Sequence, residues 1–550
     1  MRNRRPIGLA LLVLVQGPAF ALMRFLLEIL PLPARIRARW QWSLRKGFWN
    51  NFGRLKFRGS RPIKIPVPAG SLKKIDRVSF RVIFPSIPID NIKVADQVPA
   101  EERDFAMTFF TWFQVLMYRL LSPMQPGLPP IDSDPYEALG QVYTKRHRKL
   151  FDSPVMPLEF QGSPDLGALA VKGPYAYYLK KCGEEEYEWD FTDLKQYQHL
   201  PELYNLGVRV LFRVDKDTGT VKPVQIESEL GLSKPGDATW EFAKKLALSA
   251  ATNHLSLVRH FNGVHLASSA HLAIATRNCL FPDHPLSRLL WPYIFRTQQS
   301  NRAVTRAQMV KGGDFDSIFS FTHKGMRDLF SATYGHYDFI VNDPEEDAKR
   351  RGIIKGGFDT PTQDDLQKLF DLLHRHAEQY VNIYYKTNSD IRNEKGQPVL
   401  RWLDELNDPQ NGIPNGLPVM SANVTIAGLS RLVACFMYLV TVQHDIVGSF
   451  LWNYQLWVNK QPTRIYRNGK RMPLDVYQRL VNANFNLNVP RTPLINDFSD
   501  LALADANRNQ TIAVLKDFQA DLADLEAKWR MEPWHVWRVY PKLLEVNINA

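Results

Sequence analysis

The chain has 550 residues, of which 45% are hydrophobic and 23% are charged, as in a globular protein with a large core, and no segment is polar enough to require disorder. Its three cysteines, Cys182, Cys279 and Cys435, form neither a close pair nor a metal spacing, which excludes a disulfide framework. The net charge is +13, and the excess lies mainly in residues 2–74, where acids are scarce. Because no nucleic-acid motif accompanies this basic stretch, we expect no nucleic-acid partner and favour an anionic membrane surface, with a solvated basic face as the alternative.

The N-terminus resembles a targeting segment. A basic start at residues 2–5 precedes an apolar run at 7–15 and a small-x-small triplet, Ala-Phe-Ala, at 19–21. Residues 16–18 are Gln-Gly-Pro and interrupt the apolar run before it reaches the ~20 residues of a membrane-spanning helix. We therefore predict a secretory signal in residues 1–30, with an uncleaved membrane anchor as the alternative, and a secreted or cell-envelope location.

Residues 31–150 are expected to form a basic N-terminal arm with lid-like helices. The first part, 31–100, is rich in basic residues and proline and is expected to wrap around a folded body. The segment 101–123 is typical of a helix, because acids lead it, Ser-Pro ends it and apolar residues nearly encircle it. It is interpreted as a core helix or as a lid that contacts lipid.

Residues 151–550 are predicted to form one mainly α domain with a small β component before residue 230. Alternating apolar residues flank Asp-Lys-Asp-Thr-Gly-Thr within 209–227, which is a β-hairpin pattern. A long helix is expected to follow residue 237, and further long helices are predicted at 362–391, 421–450 and 505–529.

The chain lacks the phosphate-binding loop and the GxGxxG, GxSxG, CxxC and HExxH motifs, which argues against the common nucleotide-binding, hydrolase and zinc-protease functions. What remains is a set of histidines on apolar helices: His254, His260, His265, His271 and His444. A lone buried histidine is usually a satisfied core residue, but several together need partners. One metal ion serves several imidazoles at once, and iron, manganese or zinc would suit.

The spacing of His260 and His265 favours a distorted helix. Five residues of a regular α-helix leave the two rings ~140° apart, whereas a π-turn places them on one face. Gly263 lies between them and lowers the cost of the distortion. In contrast, His374 and His376 lie in a charged helix and are expected to be solvated.

Four stretches together resemble the lipoxygenase family, in its short bacterial form without the N-terminal lipid-binding β-barrel. They are the hairpin at 211–227, the segment 240–265 with Trp240, Ala243 and Lys244 ahead of the two histidines, "IATRNCLFPDHPLSRLLWPY" at 274–293, and "YVNIYYKTNSD" at 380–390. The resemblance implies a bundle of long helices around a buried mononuclear non-haem iron, with manganese as the alternative metal.

The resemblance also implies a ligand set. The metal ligands would be His260, His265, His444 and the C-terminal carboxylate of Ala550. The family commonly has an Asn or His ligand four residues after the third histidine, and Gly448 occupies that position here.

Residues of the substrate and oxygen channel follow from the same resemblance. Val304, or Ala303 with a shift of one residue, takes the place where an Ala or Gly of the family directs oxygen, and Leu451 takes the place of a frequent Gln. Arg259 and Arg431 are candidates for pairing with a substrate carboxylate.

The function implied is dioxygenation of polyunsaturated fatty acids by molecular oxygen. A metal-bound hydroxide abstracts a hydrogen atom from a doubly allylic carbon, and a lipid hydroperoxide results. Because Gly448 replaces a ligand, two alternatives stay open: altered chemistry on the same fold, such as a hydroperoxide isomerase or another oxygenase, and an inactive lipid-binding protein. The oligomeric state is left open.

Overall fold

The computed structural model describes residues 5–33, 36, 40, 43, 64–68, 74–103, 108, 112, 156–215, 217–280, 282–354, 356–448, 452–455, 457, 460–468, 492–533 and 538–548. The predicted lid-like helix at 101–123 falls almost entirely outside these residues, as do Leu451 and Ala550.

The described part of the chain is mainly helical. Its α-helices are Arg5–Ile29, Phe80–Ile83, Leu166–Val171, Trp240–His254, Ala270–Cys279, Pro285–Ile294, Thr297–Val304, Asp314–Ile318, His323–Gly335, Pro344–Arg351, Pro361–Tyr384, Gln397–Leu406, Ile426–Tyr438, His444–Val447, Trp452–Gln455 and Arg508–Met531. Its π-helical segments are Leu255–Ser269, Thr305–Met309 and Leu439–Gln443. Its 3₁₀ turns are Ala100–Glu102, Leu158–Phe160, Pro174–Tyr177, Thr192–Gln196, Phe339–Asn342, Glu394–Gly396, Ser499–Leu501 and Pro541–Leu543.

A five-stranded antiparallel sheet supplies most of the β structure. Its strands pair in chain order: β3 (Lys180–Lys181), β4 (Glu186–Asp190), β5 (Arg209–Asp215), β6 (Thr220–Ser228) and β7 (Gly231–Ser233). A separate antiparallel pair joins β1 (Arg77–Ser79) to β2 (Lys93–Ala95). The predicted hairpin is confirmed as β5 and β6, and the small β component ends close to the expected residue 230.

The turn of this hairpin follows from its residues. The Asp215 carboxylate accepts hydrogen bonds from the backbone N–H groups of Asp217 and Thr218, at 3.0 and 3.3 Å. Gly219 then takes a positive φ of 61°, a conformation that glycine adopts without steric cost. The alternation in the strand before the turn buries Val210 and Phe212 in the core.

Two long helices carry the three histidines predicted to bind metal, His260, His265 and His444. We call them the first and the second ligand helix. The first ligand helix joins Trp240–His254, Leu255–Ser269 and Ala270–Cys279 without a break. It begins at Trp240 after a turn in which Asp237 accepts from the N–H of Lys234 at 2.7 Å. The helix therefore starts two residues later than expected, because Asp237 belongs to that turn.

The second ligand helix joins Ile426–Tyr438, Leu439–Gln443 and His444–Val447. Thr425 caps its start by accepting a hydrogen bond from the N–H of Gly428 at 3.0 Å. Within the described residues this helix, Ile426–Val447, alone has the length and apolarity of a membrane span, but 78% of its most apolar window is buried inside the protein. Its apolar character is accounted for by its place in the core.

The described arm segment 74–103 packs onto the same core as the helices. Phe80, Ile87 and Ile92 are each at most 2% exposed. Charged groups hold this segment to the first ligand helix, since Arg277 contacts Glu102 at 2.6 Å with both side chains fully buried. The arm is thus an integral layer of the fold in this region.

The N-terminal helix Arg5–Ile29 is continuous through Pro18, and the polar and small residues at 16–18 that interrupt its apolar run lie within it. Proline removes one helical hydrogen bond, which the flanking turns tolerate here. Several of its apolar side chains face outward, among them Val15 at 65% and Ile29 at 63% exposure.

Candidate metal centre

The first ligand helix is wound as a π-helix around two of the predicted ligands. The π segment Leu255–Ser269 contains both His260 and His265, which confirms the predicted distortion and extends it well beyond a single turn. The side chain of Ser268 donates to the carbonyl of Gly263 at 2.6 Å, so a hydroxyl supplements the altered backbone pattern. Because a π-helix turns by about 360° in a little over four residues, a five-residue spacing brings the two rings to one face.

The three predicted histidines lie together. Ring centroids are 4.9 Å apart for His260 and His265, 5.0 Å for His260 and His444, and 5.2 Å for His265 and His444. One ring nitrogen from each lies within 4.8 Å of the others. All three side chains are buried, so the cluster lies in the interior of the helical bundle.

The distances fit a metal ion. The Nε2 atoms of His260 and His265 are 3.1 Å apart. Two imidazole nitrogens bound at about 2.1 Å would be about 3.0 Å apart at a right angle and about 3.4 Å apart at a tetrahedral angle. His444 is 0% exposed, and neither of its ring nitrogens has a hydrogen-bond partner among the described residues. A buried imidazole of this kind is costly unless a ligand satisfies it, and a metal ion would do so.

The environment keeps the imidazoles of His260 and His265 neutral. Burial, followed by the neighbouring His265 and His444, lowers the pKa of His260 well below its ordinary value. Burial and His444 lower the pKa of His265 to about 3, against the opposing effect of the hydrogen bond that its ring donates to the side-chain oxygen of Asn301. Neutral imidazole is the form that binds metal, so the cluster is ready to act as a ligand set.

Asn301 orients His265, a role that sequence reasoning missed. Its side-chain oxygen lies 2.9 Å from Nδ1 of His265, and its amide nitrogen donates to the His265 carbonyl at 3.0 Å. A proton on Nδ1 therefore meets an acceptor, and the lone pair of Nε2 faces the cluster. The sequence held one indication of this role: Asn301 is a polar residue three positions before Val304, on an otherwise buried helix face.

Gly448 leaves no room for a side-chain ligand. A Cβ atom built on Gly448 would lie 2.6 Å from Nε2 of His260 and 2.8 Å from the carbonyl oxygen of His444. Any side chain there would have to displace the first histidine. In this structure His260 fills the space next to Gly448.

The C-terminal tail lies beside the cluster as far as it is described. Residues 544–548 are buried, and the N–H of Glu545 donates to the Asp445 carboxylate at 2.7 Å. The carbonyl of Ile548 accepts from the Ser300 hydroxyl at 2.9 Å. The tail is therefore held next to the neighbours of His444 and Asn301, while Ala550 itself lies outside the described residues.

The remaining histidines of the group lie apart from the cluster. His254 Nδ1 pairs with the hydroxyl of Tyr178 at 2.9 Å, and His271 Nε2 pairs with the hydroxyl of Tyr334 at 2.7 Å. Each has a tyrosine partner, and His271 is fully buried whereas His254 is half-buried. The prediction that His376 is solvated is wrong: it is 2% exposed and stacks on Phe518 at 4.2 Å, because the helix Arg508–Met531 covers it.

The predicted channel residues lie on the helix that carries Asn301. Val304 is 8% exposed and stands one turn after Asn301, so it shares the face that meets the first ligand helix. Ala303 is half-buried on the neighbouring face. Their role in steering oxygen stays a prediction, and Leu451 lies outside the described residues.

The two predicted carboxylate-binding arginines differ in their surroundings. Arg431 is already paired, since it contacts Asp343 and also Glu345, the latter at 3.0 Å, and it is not available for a substrate. Arg259 lies over the ring of Tyr177 with its Cζ 4.9 Å from the centroid. One of its terminal nitrogens, Nη1, has no hydrogen-bond partner in the described part of the chain.

Comparisons with known proteins point to one family. A family model described as Lipoxygenase matches residues 202–488, the range that contains all three histidines. The polyunsaturated fatty acid lipoxygenase ALOX12 of Mus musculus is 24% identical over 308 residues, which cover 52% of this chain and 45% of that protein. The linoleate 9/13-lipoxygenase of Pseudomonas aeruginosa is 27% identical over 188 residues, 34% of this chain and 26% of that protein. The matched part of the chain thus spans less than half of either relative.

The fold agrees with that of solved lipoxygenases. A lipoxygenase variant, Delta413-417:GS, crystallised anaerobically in complex with arachidonate, superimposes with a TM-score of 0.69 over 87% of this chain and 80% of that chain, at 14% identity. At 14% sequence identity, this structural similarity is evidence for the fold alone. The helical architecture matches the one expected from the sequence, and the family model covers more than half of the residues. This chain belongs to the lipoxygenase family.

Proposed function

We propose that this chain is a metal-dependent dioxygenase that adds molecular oxygen to polyunsaturated fatty acids and releases lipid hydroperoxides. The observation that carries the proposal is the buried cluster of His260, His265 and His444 in a chain of this family. Relatives named for polyunsaturated fatty acids and for linoleate, and a neighbour bound to arachidonate, support this substrate class. Non-haem iron is the proposed cofactor, with manganese as the alternative.

A bound redox metal would supply the abstraction of a hydrogen atom from a doubly allylic carbon. The protein's own contribution is to bury the three imidazoles, with those of His260 and His265 in their neutral form, and to orient the rings. Asn301 does this for His265 through two hydrogen bonds. Val304, larger than Ala or Gly, is proposed to restrict the path by which oxygen reaches the substrate.

We propose the carboxylate of Ala550 as the fourth protein ligand. The burial of residues 544–548 and the bonds of the tail to Asp445 and Ser300 support this position for the chain end. Because Gly448 has no room for a ligand, the site would have three histidines, one carboxylate and a larger share of water. Adding one glycine after Ala550 tests the ligand, since it moves the terminal carboxylate by about 3.5 Å and should lower metal occupancy.

The function is tested by metal analysis and oxygen uptake on the full chain. Iron bound at one equivalent, together with oxygen uptake and a conjugated-diene product from linoleic or arachidonic acid, is the expected outcome. Bound metal without uptake would favour the second candidate, a lipoxygenase-fold enzyme with altered chemistry, for which Gly448 is the specific observation. Absence of metal from the purified protein, with none taken up on reconstitution, would favour a lipid-binding role and contradict both.

We propose further that residues 1–30 target the protein to the cell envelope or export it, and that residues 151–550 form the catalytic domain. The outward-facing apolar side chains of Arg5–Ile29 and the basic charge of residues 2–74 support contact with an anionic membrane surface. Sedimentation of the full chain with vesicles of anionic and of neutral lipids tests the membrane contact. Equal binding to both kinds of vesicle would contradict an electrostatic contribution to that binding.

A further inference from the structure

Asp445, the residue after His444, is a buried carboxylate beside the metal-binding cluster. It is 1% exposed. One oxygen, Oδ2, accepts a hydrogen bond from the backbone N–H of Glu545 at 2.7 Å. The other, Oδ1, lies 3.4 Å from Nδ1 of His444.

The two facing atoms are otherwise unsatisfied. Neither Oδ1 of Asp445 nor Nδ1 of His444 has a hydrogen-bond partner among the described residues. Their separation of 3.4 Å is an ion-pair distance just beyond a well-formed hydrogen bond. Each of the two atoms is therefore available as a partner for the other.

The charge of Asp445 also lacks a conventional counterion. No lysine or arginine within the described ranges lies at ion-pair distance from it, and His444 is the basic group that does. A buried carboxylate without a positive partner is costly. Metal-binding histidines commonly donate their second ring N–H to a carboxylate, which fixes the ring and raises the basicity of the ligating nitrogen.

We propose that Asp445 is a positioning residue that holds the Nδ1–H of His444, leaves Nε2 for the metal, and ties this ligand to the C-terminal tail. The inference rests on the proposed metal site and extends it. It places a negative charge next to the third histidine in a site where Gly448 leaves no room for a side-chain ligand. A single side chain thereby links the ligand helix to the tail that would bring in the fourth ligand.

The substitution Asp445→Asn separates the electrostatic role from a merely structural one. Asparagine has nearly the same shape, and its side-chain oxygen still accepts the N–H of Glu545. Its amide group removes the charge and presents N–H toward Nδ1 of His444, which disfavours a proton there. The hydrogen bond from the Glu545 N–H, which holds the tail, should survive this change. The orientation of the His444 ring should not.

The measurement is Co²⁺ affinity of the metal-free full-length protein, by competition with a chelator, with the visible absorption of bound Co²⁺ as a second readout. Asp445→Asn is expected to weaken Co²⁺ binding about 10- to 100-fold and to change the absorption spectrum. Release of the last residues by carboxypeptidase should proceed as in the wild type, because the tail contact is retained. Thr441→Val is the matched control: it removes a buried hydroxyl of the same helix that donates to the Met437 carbonyl at 2.7 Å.

Affinity and spectrum within twofold of the wild type in Asp445→Asn would overturn the proposal, as would equal losses in Thr441→Val. Failure of the wild type to bind Co²⁺ would overturn it as well. Because Co²⁺ binding does not require oxygenation, a wild type that binds the ion but consumes no oxygen would contradict the proposed function while leaving this inference supported by its own result.

Discussion

His260 and His265 are five residues apart in the chain, yet their Nε2 atoms lie 3.1 Å apart. The π-helical winding of Leu255–Ser269 is the cause, since a regular α-helix would point the rings in different directions. His444, from the second ligand helix, completes the triangle. The proposed function depends on this juxtaposition.

Substitution of any one of the three histidines should abolish stable metal binding. His260→Gln, His265→Gln and His444→Gln each remove one of three imidazoles, and we expect metal affinity to fall at least about 100-fold. Metal content after dialysis measures the effect. His271→Gln is the control, because His271 is as buried as the three cluster histidines but pairs with the Tyr334 hydroxyl. The His271→Gln protein should keep its bound metal. Equal losses in the control would mean that the effect is one of folding.

Gly448 should not accept a ligand side chain. Gly448→Asn is expected to lower metal affinity rather than raise it, because its Cβ would lie 2.6 Å from Nε2 of His260. Overpacking of this kind typically costs about 1–3 kcal/mol of stability. Gly335→Ala is the matched control, since a Cβ there meets nothing within 4 Å. A Gly448→Asn protein that binds metal more tightly than the wild type would show that His260 moves aside.

Asn301 should matter for metal binding more than for folding. Asn301→Ala leaves Nδ1 of His265 without its acceptor, and we expect a loss of about 10- to 100-fold in metal affinity. Asn262→Ala provides the comparison, because Asn262 is also buried on the first ligand helix but donates to the Phe330 carbonyl, at 2.9 Å, and to the Thr333 hydroxyl. Both variants should lose about 1–3 kcal/mol of unfolding free energy. A similar metal affinity in the two would contradict the orienting role.

Arg259 is the better of the two candidates for the substrate carboxylate. Arg259→Gln is expected to raise KM for a polyunsaturated fatty acid about tenfold with little change in kcat, and to leave its methyl ester unaffected. Arg431→Gln should instead destabilise the fold, because it leaves Asp343 buried without its partner. Steady-state oxygen uptake and urea unfolding separate the two outcomes, and an unchanged KM in Arg259→Gln would exclude this residue.

Acid should destabilise the protein partly through His376. Burial lowers its pKa to about 3, with a hydrogen bond at the Val514 backbone opposing the shift. The unfolded chain takes up this proton below its ordinary value of about 6.5, whereas the folded chain does so only near pH 3, so stability is lost as the pH falls through that window.

His376→Phe should therefore narrow the gap in stability between pH 7 and pH 4.5, by on the order of 2 kcal/mol, while keeping the stacking on Phe518. Urea unfolding at the two pH values measures it. Tyr380→Phe on the same helix removes a hydroxyl that donates to Pro285 at 3.0 Å and should cost the same at both pH values. An unchanged gap in His376→Phe would show that other buried histidines account for the acid sensitivity.

Local patterns in the sequence were enough for the long helices after residue 237, the hairpin and the distortion between His260 and His265. These features depend on residues close together in the chain, where periodicity, turn residues and spacing act directly. The pairing of these two histidines with His444 came from the resemblance to a family, and the structure brings the three together as expected.

Contacts between distant segments were decided only by the tertiary structure. Asn301 meets His265 across 36 residues, and the tail meets Asp445 across 100 residues. The same packing pairs Arg431 with Asp343, buries His376 under Phe518 and closes the space beside Gly448. A residue's own neighbours in the chain do not specify such contacts, because they follow from how the helices pack. The sequence by itself therefore determined the local elements and the spacing of His260 and His265, whereas packing determined which side chains lie against the three histidine rings.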